Sequence, residues 1–410
     1  MKKSQLFVIT HRVLFCFLFL SGCGGILEGE DIRDTSIPDM MVRVDSGITI
    51  KVKDFDGNKP YNIENVIDSV SFIRLTTEDE AILGAIDQII LMDTCLLVRD
   101  SYKTKSVKLF SMSGQFLRTI GSAGQGPGEY IEPTHMAITD DKIAIYDQFM
   151  RKISFYEIDG SFIYSLNIPF FSLKFHIFDE NHYLFYAVNS DNREHKSIYG
   201  YSIFDCDSSF VFKSHGFYKK HDSYFNIVDN HNFFAKNDLV YFRPVYNDTI
   251  YTISKDNTIN AEYALDFGNK TVPQKFRNGE SSRAYKKALE SEEYMFMDGN
   301  FFLTENYLLF SYMKAYARYD CIYSLSSGET VAFHNRTNLF PLVFANIIGA
   351  TDEAFVGYMF PAMVSQQLEG WKKLPYDDLI KQFGEERVKL GMTMESDQNP
   401  IITFFYPKKF

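Results

Sequence analysis

The sequence predicts an all-β chain whose short antiparallel sheets are arranged radially as a β-propeller. Three observations carry this reading: a long succession of short apolar strands parted by polar turns, an internal repeat, and little helical periodicity. From Gly47 onward, "ITIKVKD" alternates Ile48, Ile50 and Val52 against Thr49, Lys51 and Lys53, the period of a strand with one covered face. Runs such as "SFIRL", "QIILMD", "CLLVRD", "SVKLFS", "KIAIYD", "KISFYEI", "NYLLFSY" and "IITFFY" follow, parted by "MSGQ", "TDDK", "IDGS" and "SKDNT". Aligning "VKLFSMSGQFLRTI" with "ISFYEIDGSFIYSL" places Phe110 on Tyr156, Gly114 on Gly160 and Phe116 on Phe162, each 46 residues apart, and Asp100 on Asp147 with one residue more. A four-stranded blade has about that length. "YGYSIFDCDSSFVF", "NDTIYTISKDNTI" and "YDCIYSLSSGETVAF" repeat the strand, turn and strand more faintly.

Ahead of these strands, Lys2, Lys3 and Arg12 precede the apolar run 13–20, which is too short to span a bilayer, and this reads as a signal peptide over residues 1–22. Leu20-Ser21-Gly22-Cys23 resembles the bacterial lipobox, so Cys23 is expected to become the lipidated N-terminus and to tie the chain to a membrane. Residues 23–44 are acidic and aperiodic, a tether, and 45–410 form the propeller domain. Acidic residues from Glu28 onward loosely resemble a surface-export signal of Bacteroidota lipoproteins. The expected location is the cell envelope, at the outer membrane, with either its periplasmic face or the cell surface open.

The one stretch with the look of a chemical motif is "GSAGQGPGEY". A phosphate-binding loop must leave a strand and open a helix, and its glycines must be followed by Lys and Ser/Thr. Here Pro127 and Gly128 stand in those places and another strand follows. Gly121, Gly124, Gly126, Pro127, Gly128 and Glu129 therefore read as the turn from the outer strand of one blade to the inner strand of the next. Glu129 and His135, expected on one propeller face with that turn, are the weak functional candidates; turn hydrogen bonding is the commoner fate of such residues.

Two segments break the β pattern. "SSRAYKKALESEEYMFMD", about 281–298, is rich in helix formers, and "YDDLIKQFGEERVKLG" spaces Leu379, Ile380, Phe383 and Val388 along one helical face after Pro375. Both read as loops grown into helices that pack on the propeller, cap its channel or dock a partner. "ITIKVKD" and "IITFFY" are expected to share the blade that closes the ring.

Charge and cysteine content exclude whole classes. The chain carries −11, and loss of residues 1–22 takes it to about −14, so no nucleic-acid partner is expected. Cys95, Cys206 and Cys321 lie far apart in apolar runs and read as small buried hydrophobes. "DFDGN" at Asp54 lacks the spacing of a calcium loop, and His215, His221 and His231 lack ligand spacing. No catalytic set, metal site or cofactor is predicted. A single tryptophan, Trp371, leaves no indole platform for sugars.

"IGSAGQGPGEYIEPTHMAITDDKIAIYDQFMRKISFYEIDGSFIYSL" resembles an NHL-type blade and, more closely, the six-bladed β-propeller lipoproteins of Bacteroidota, in which a G-x-G-P-G-E-[FY] crossing precedes an apolar strand ending in Asp. "FIRLTTEDEAILGAIDQIIL", residues 246–268 and "ESDQNPIITFFY" resemble the same family, and the resemblance weakens between Phe170 and Ala235. It implies six four-stranded antiparallel blades with short helical inserts. It is specific for fold and poor for function, and the leading expectation for function is a membrane-anchored, non-enzymatic binding or scaffold module for a protein, peptide or glycan. Two alternatives stand beside it: a channel-site lyase or hydrolase holding calcium or zinc, and an accessory subunit of an envelope complex.

Overall fold

A computed structural model describes residues 36–44, 47–53, 66–187, 192–218, 231–245, 247–273, 276, 287–315, 317–333 and 346–410. The signal segment, Cys23, Asp54 with its "DFDGN" turn, and His221 lie outside the described residues.

Six sheets form the ring, each with four antiparallel strands. Blade one comprises Gln88–Leu91, Cys95–Asp100, Ser106–Ser111 and Phe116–Ile120; blade two comprises His135–Thr139, Lys142–Asp147, Lys152–Glu157 and Phe162–Asn167. Blade three runs from Lys174–Asp179 to Phe212–Tyr218, blade four from Phe233–Lys236 to Thr258–Asp266, and blade five from Met295–Leu303 to Thr330–Phe333. Blade six takes three strands from the C-terminal end, Ile347–Ala350, Phe355–Met359 and Ile401–Pro407, and its fourth from Ile67–Arg74. The faint echoes in blades three, four and five are each a third-and-fourth-strand hairpin. Blade six has no such echo because ring closure takes its two halves from opposite ends of the chain.

Strand periodicity explains why the blades stack. Successive side chains point to opposite sheet faces, so in blade one Leu96 and Val98 enter the interface with blade six while Cys95 and Leu97 enter that with blade two. Blade two repeats this, Ile143 and Ile145 facing blade one and Ala144 and Tyr146 facing blade three. Large rings fill these gaps: Phe170 meets Phe185 and Phe204 edge-on at centroid distances of 4.8 and 5.0 Å. Each fully buried ring of this kind contributes about 2 kcal/mol of transfer free energy. Cys95, Cys206 and Cys321 are buried free thiols within these clusters.

The expected closure is corrected. "IITFFY" pairs with Ile67–Arg74, whereas Ile48–Lys51 runs parallel to the last strand of blade four, as does Met41–Arg43 ahead of it. Residues 36–44 and 47–53 thus strap the outer edge of blade four. Met40 is buried in the gap toward blade three, and Ile50 and Val52 in the gap toward blade five. Those sockets decide the pairing. A β-carbon at Gly47 would collide with the Ala261 carbonyl, so only glycine allows the strap to lie this close.

The helical expectations change as well. Residues 295–298 begin a strand of blade five, and of the segment before them the described helical residues reach only to 289. The second insert is three helices: Pro361–Trp371, Tyr376–Phe383 and Glu385–Met392. Gly384, at φ 82°, breaks the last two where one helix was expected. Leu379, Phe383 and Val388 are buried as anticipated, and Trp371 stacks on Phe383 at 4.6 Å, inside the cluster shared by blades five and six.

Candidate binding face

Antiparallel connectivity gives the ring two unlike faces. Connections from first to second and from third to fourth strands emerge on one face and span two to five residues. Connections from second to third strands, and the crossings between blades, emerge on the other, and include 75–87, 121–134 and the helical insert within 360–400. Binding residues concentrate on such long connections held by a rigid frame.

At four of these joints a buried side chain pins the connection down. Asp147, at the end of a second strand, accepts the N–H groups of Ile131 and Glu132 (2.6 and 3.1 Å) from the preceding crossing and of Phe149 and Met150 (2.8 and 3.0 Å) from the following turn. Asp100 does the same in blade one with Gly84, Ala85 and Lys103 (2.7, 3.0 and 2.8 Å). Amides serve elsewhere: Asn399 accepts from Leu83 and donates to Thr76 and Ala81, and Asn192 exchanges two bonds with Phe171. The aspartate that ends the repeated strand is therefore a joint, and its charge is absorbed by backbone dipoles.

Inside this face, the first residues of the inner strands link blade to blade around the axis. Gln88 bonds both backbone groups of Met136 (2.7 and 3.0 Å), His135 Nδ1 accepts the Phe175 N–H at 3.5 Å, and Lys174 Nζ donates to Asn232 at 2.8 Å. Arg99, 8% exposed, donates to Gln88, Ser101 and the Pro133 carbonyl. Burial holds His135 well below the usual imidazole range, helped by Lys174 and Arg99. His231 is pushed down to about 3 by burial and then by the same two cations. His176, further along the channel, falls to about 4, again through burial first. The axis thus carries neutral imidazoles beside fixed cations, a set of hydrogen-bond donors and acceptors.

The crossing from blade one to blade two is built as a joint too. The Glu129 carboxylate accepts the Gly126 N–H at 2.7 Å, Tyr130 donates to the Ile120 carbonyl at 2.8 Å, and Lys152 Nζ donates to the Glu129 carbonyl at 2.9 Å. Gly121, Gly124 and Gly128 have φ of 68°, 155° and 71°, and a β-carbon on Gly124 would strike the Glu129 carboxylate. A strand, not a helix, follows.

Over residues 47–406 the chain matches the family described as "Domain of unknown function (DUF4934)". It belongs to that family. No curated protein matched it. Among solved structures, a Bacteroides fragilis protein assigned to export is similar at 20% identity and a TM-score of 0.72, over 90% of this chain and 100% of that one. A member of the DUF4221 family from Bacteroides vulgatus shows 10% identity and a TM-score of 0.46, over 83% and 98% of the two chains. Virginiamycin B lyase from Staphylococcus aureus shows 13% identity and a TM-score of 0.35, over 66% and 75%. At these identities the likeness is one of fold, and only the first is close enough to bear on it.

Within this DUF4934 domain the two weak candidates part company: Glu129 belongs to the blade crossing and His135 to the axial ring. His215 lies away from both, stacked on Tyr201 at 3.5 Å with Nε2 3.1 Å from Asp39 of the strap. Sequence reasoning missed Gln88, Arg99, Lys174 and Asn232, whose one shared signal is a polar residue at the mouth end of an apolar strand. It also missed a cluster on the short-turn face, where Asp205 accepts from Ser214 and Asn257 and lies 3.4 Å from His182 Nε2. That serine bonds the carboxylate and not the imidazole, so it lacks the base that would activate it. Among the described residues no group of three or more His, Cys, Asp or Glu is placed to hold a metal.

Proposed function

We propose that this chain is an extracytoplasmic, lipid-anchored propeller that acts as a non-enzymatic binding or scaffold module for a protein, peptide or glycan. The asymmetry of the two faces carries this reading: long connections, several pinned by a buried side chain, gather on one face around a hydrogen-bonded axial arc that links blades one to four. The basic and apolar segments before Leu20-Ser21-Gly22-Cys23 support the anchor, and the export assigned to the similar Bacteroides fragilis protein supports a place beyond the cytoplasm.

Purification of the acylated protein from its own envelope tests this. The protein should sediment with membranes, a Cys23→Ala variant should not, and a protein or glycan should accompany it in fixed ratio. Recovery of a stoichiometric metal with turnover of a small substrate, and no partner, would overturn the reading.

A further inference from the structure

The second-to-third-strand connections of blades one and two each raise an aromatic ring at the same repeat position. Tyr102 and Phe149 stand two residues beyond Asp100 and Asp147 and are 47 residues apart, the offset of those aspartates. They are 49% and 53% exposed, more than Phe162 at 38% and unlike the rings that fill the gaps between blades, such as Phe170, Phe185 and Phe204, which are buried. Neither is on a loose loop. Asp100 bonds the N–H of Lys103 next to Tyr102, Asp147 bonds the N–H of Phe149 itself, and the Lys103 ammonium braces the Tyr102 ring at 5.3 Å from its centroid.

Contacts also join the two turns. Lys105 pairs with Glu132 at 3.5 Å, and the Glu132 N–H bonds Asp147, so the turn that carries Tyr102 is tied through the crossing to the aspartate that holds the turn of Phe149. The core of a protein interface is depleted of charge, and these segments carry Lys103, Lys105 and Glu132. Flat rings fixed on a preordered backbone and flanked by hydrogen-bonding groups instead match a sugar, whose C–H face stacks on the ring while its hydroxyls bond the flanking charges. The net charge of −11 disfavours polyanionic chains.

We infer that Tyr102 and Phe149 form a paired stacking platform for an uncharged polysaccharide, spanning blades one and two on the long-connection face. This rests on reading the chain as a binding module. It adds the ligand's chemistry and the residues that meet it.

Affinity electrophoresis of the full mature chain in detergent tests it, with a neutral β-glucan, a xylan, a galactomannan or a polyuronate cast in the gel. At least one neutral polysaccharide should retard the protein. Tyr102→Ala and Phe149→Ala should each weaken retardation roughly tenfold, about the worth of one stacked ring. Tyr102→Phe should retain binding, Val211→Ala in a turn of the opposite face should not alter it, and all variants should keep the parent's melting temperature. Retardation by none of the neutral chains, by the polyuronate alone, or equally in the two alanine variants would overturn the inference. Should a protein partner still be recovered from the envelope in that event, the binding-module reading survives and only the glycan platform fails.

Discussion

The two faces of the ring are made from the same strands yet obey different rules. On the short-turn face, Asp140 and Asp141, and likewise Asn237 and Asp238, adopt positive φ between 45° and 59° in two-residue hairpins that need little beyond their own backbone. On the other face the chain must travel between blades, and at four joints it recruits a buried side chain from a neighbouring element. Local turns are fixed by propensity, whereas crossings are fixed by tertiary hydrogen bonds. Substitutions should therefore hurt the two faces very unequally.

The largest expected effect is acidic. His135 and His231 gain a proton near pH 6.5 in the unfolded chain but only far below that when folded. Stability is thus full above that pH and falls as the pH drops toward 4. His231 should cost about 2 kcal/mol at pH 5 relative to neutrality, and His135 adds a loss in the same direction. Denaturant melts across this range should show the loss, and His231→Gln should remove its share. Next comes Asp147→Ala, which orphans four backbone N–H groups; about 3 kcal/mol of destabilisation is expected in chemical denaturation. Gly124→Ala should cost about 2 kcal/mol, because its φ of 155° and the neighbouring carboxylate both resist a β-carbon. Smallest is Asp141→Gly on the short-turn face, where the melting free energy should stay within about 0.5 kcal/mol of the parent. Equal losses for Asp147→Ala and Asp141→Gly would erase the distinction between the faces.

Much of the ring was legible because its cause is local. The 46-residue offset from Phe110 to Tyr156 reflects one hairpin repeated, and the glycines from Gly121 to Gly128 announce a turn by backbone needs alone. The axial ring was not legible, since Gln88, His135, Lys174 and Asn232 come from four separate strands and share no side-chain type. Nor was the closing strand: Ile48–Lys51 and Ile67–Arg74 are both plausible edge strands, and only the sockets for Ile50 and Val52 separate them. The paired aromatics were spelled in the repeat, yet the turns that carry them are held by aspartates whose other partners lie in the preceding crossing.

The strap along blade four has a mechanical consequence. Residues 41–43 and 48–51 lie parallel to the same strand, so traction on the N-terminal end directed along them loads their ladder bonds together and not one at a time. Met40, Ile50 and Val52 would have to leave their sockets in the same event. Tension arriving from that end is taken up at the circumference of the wheel, and neither hub opening has to carry it.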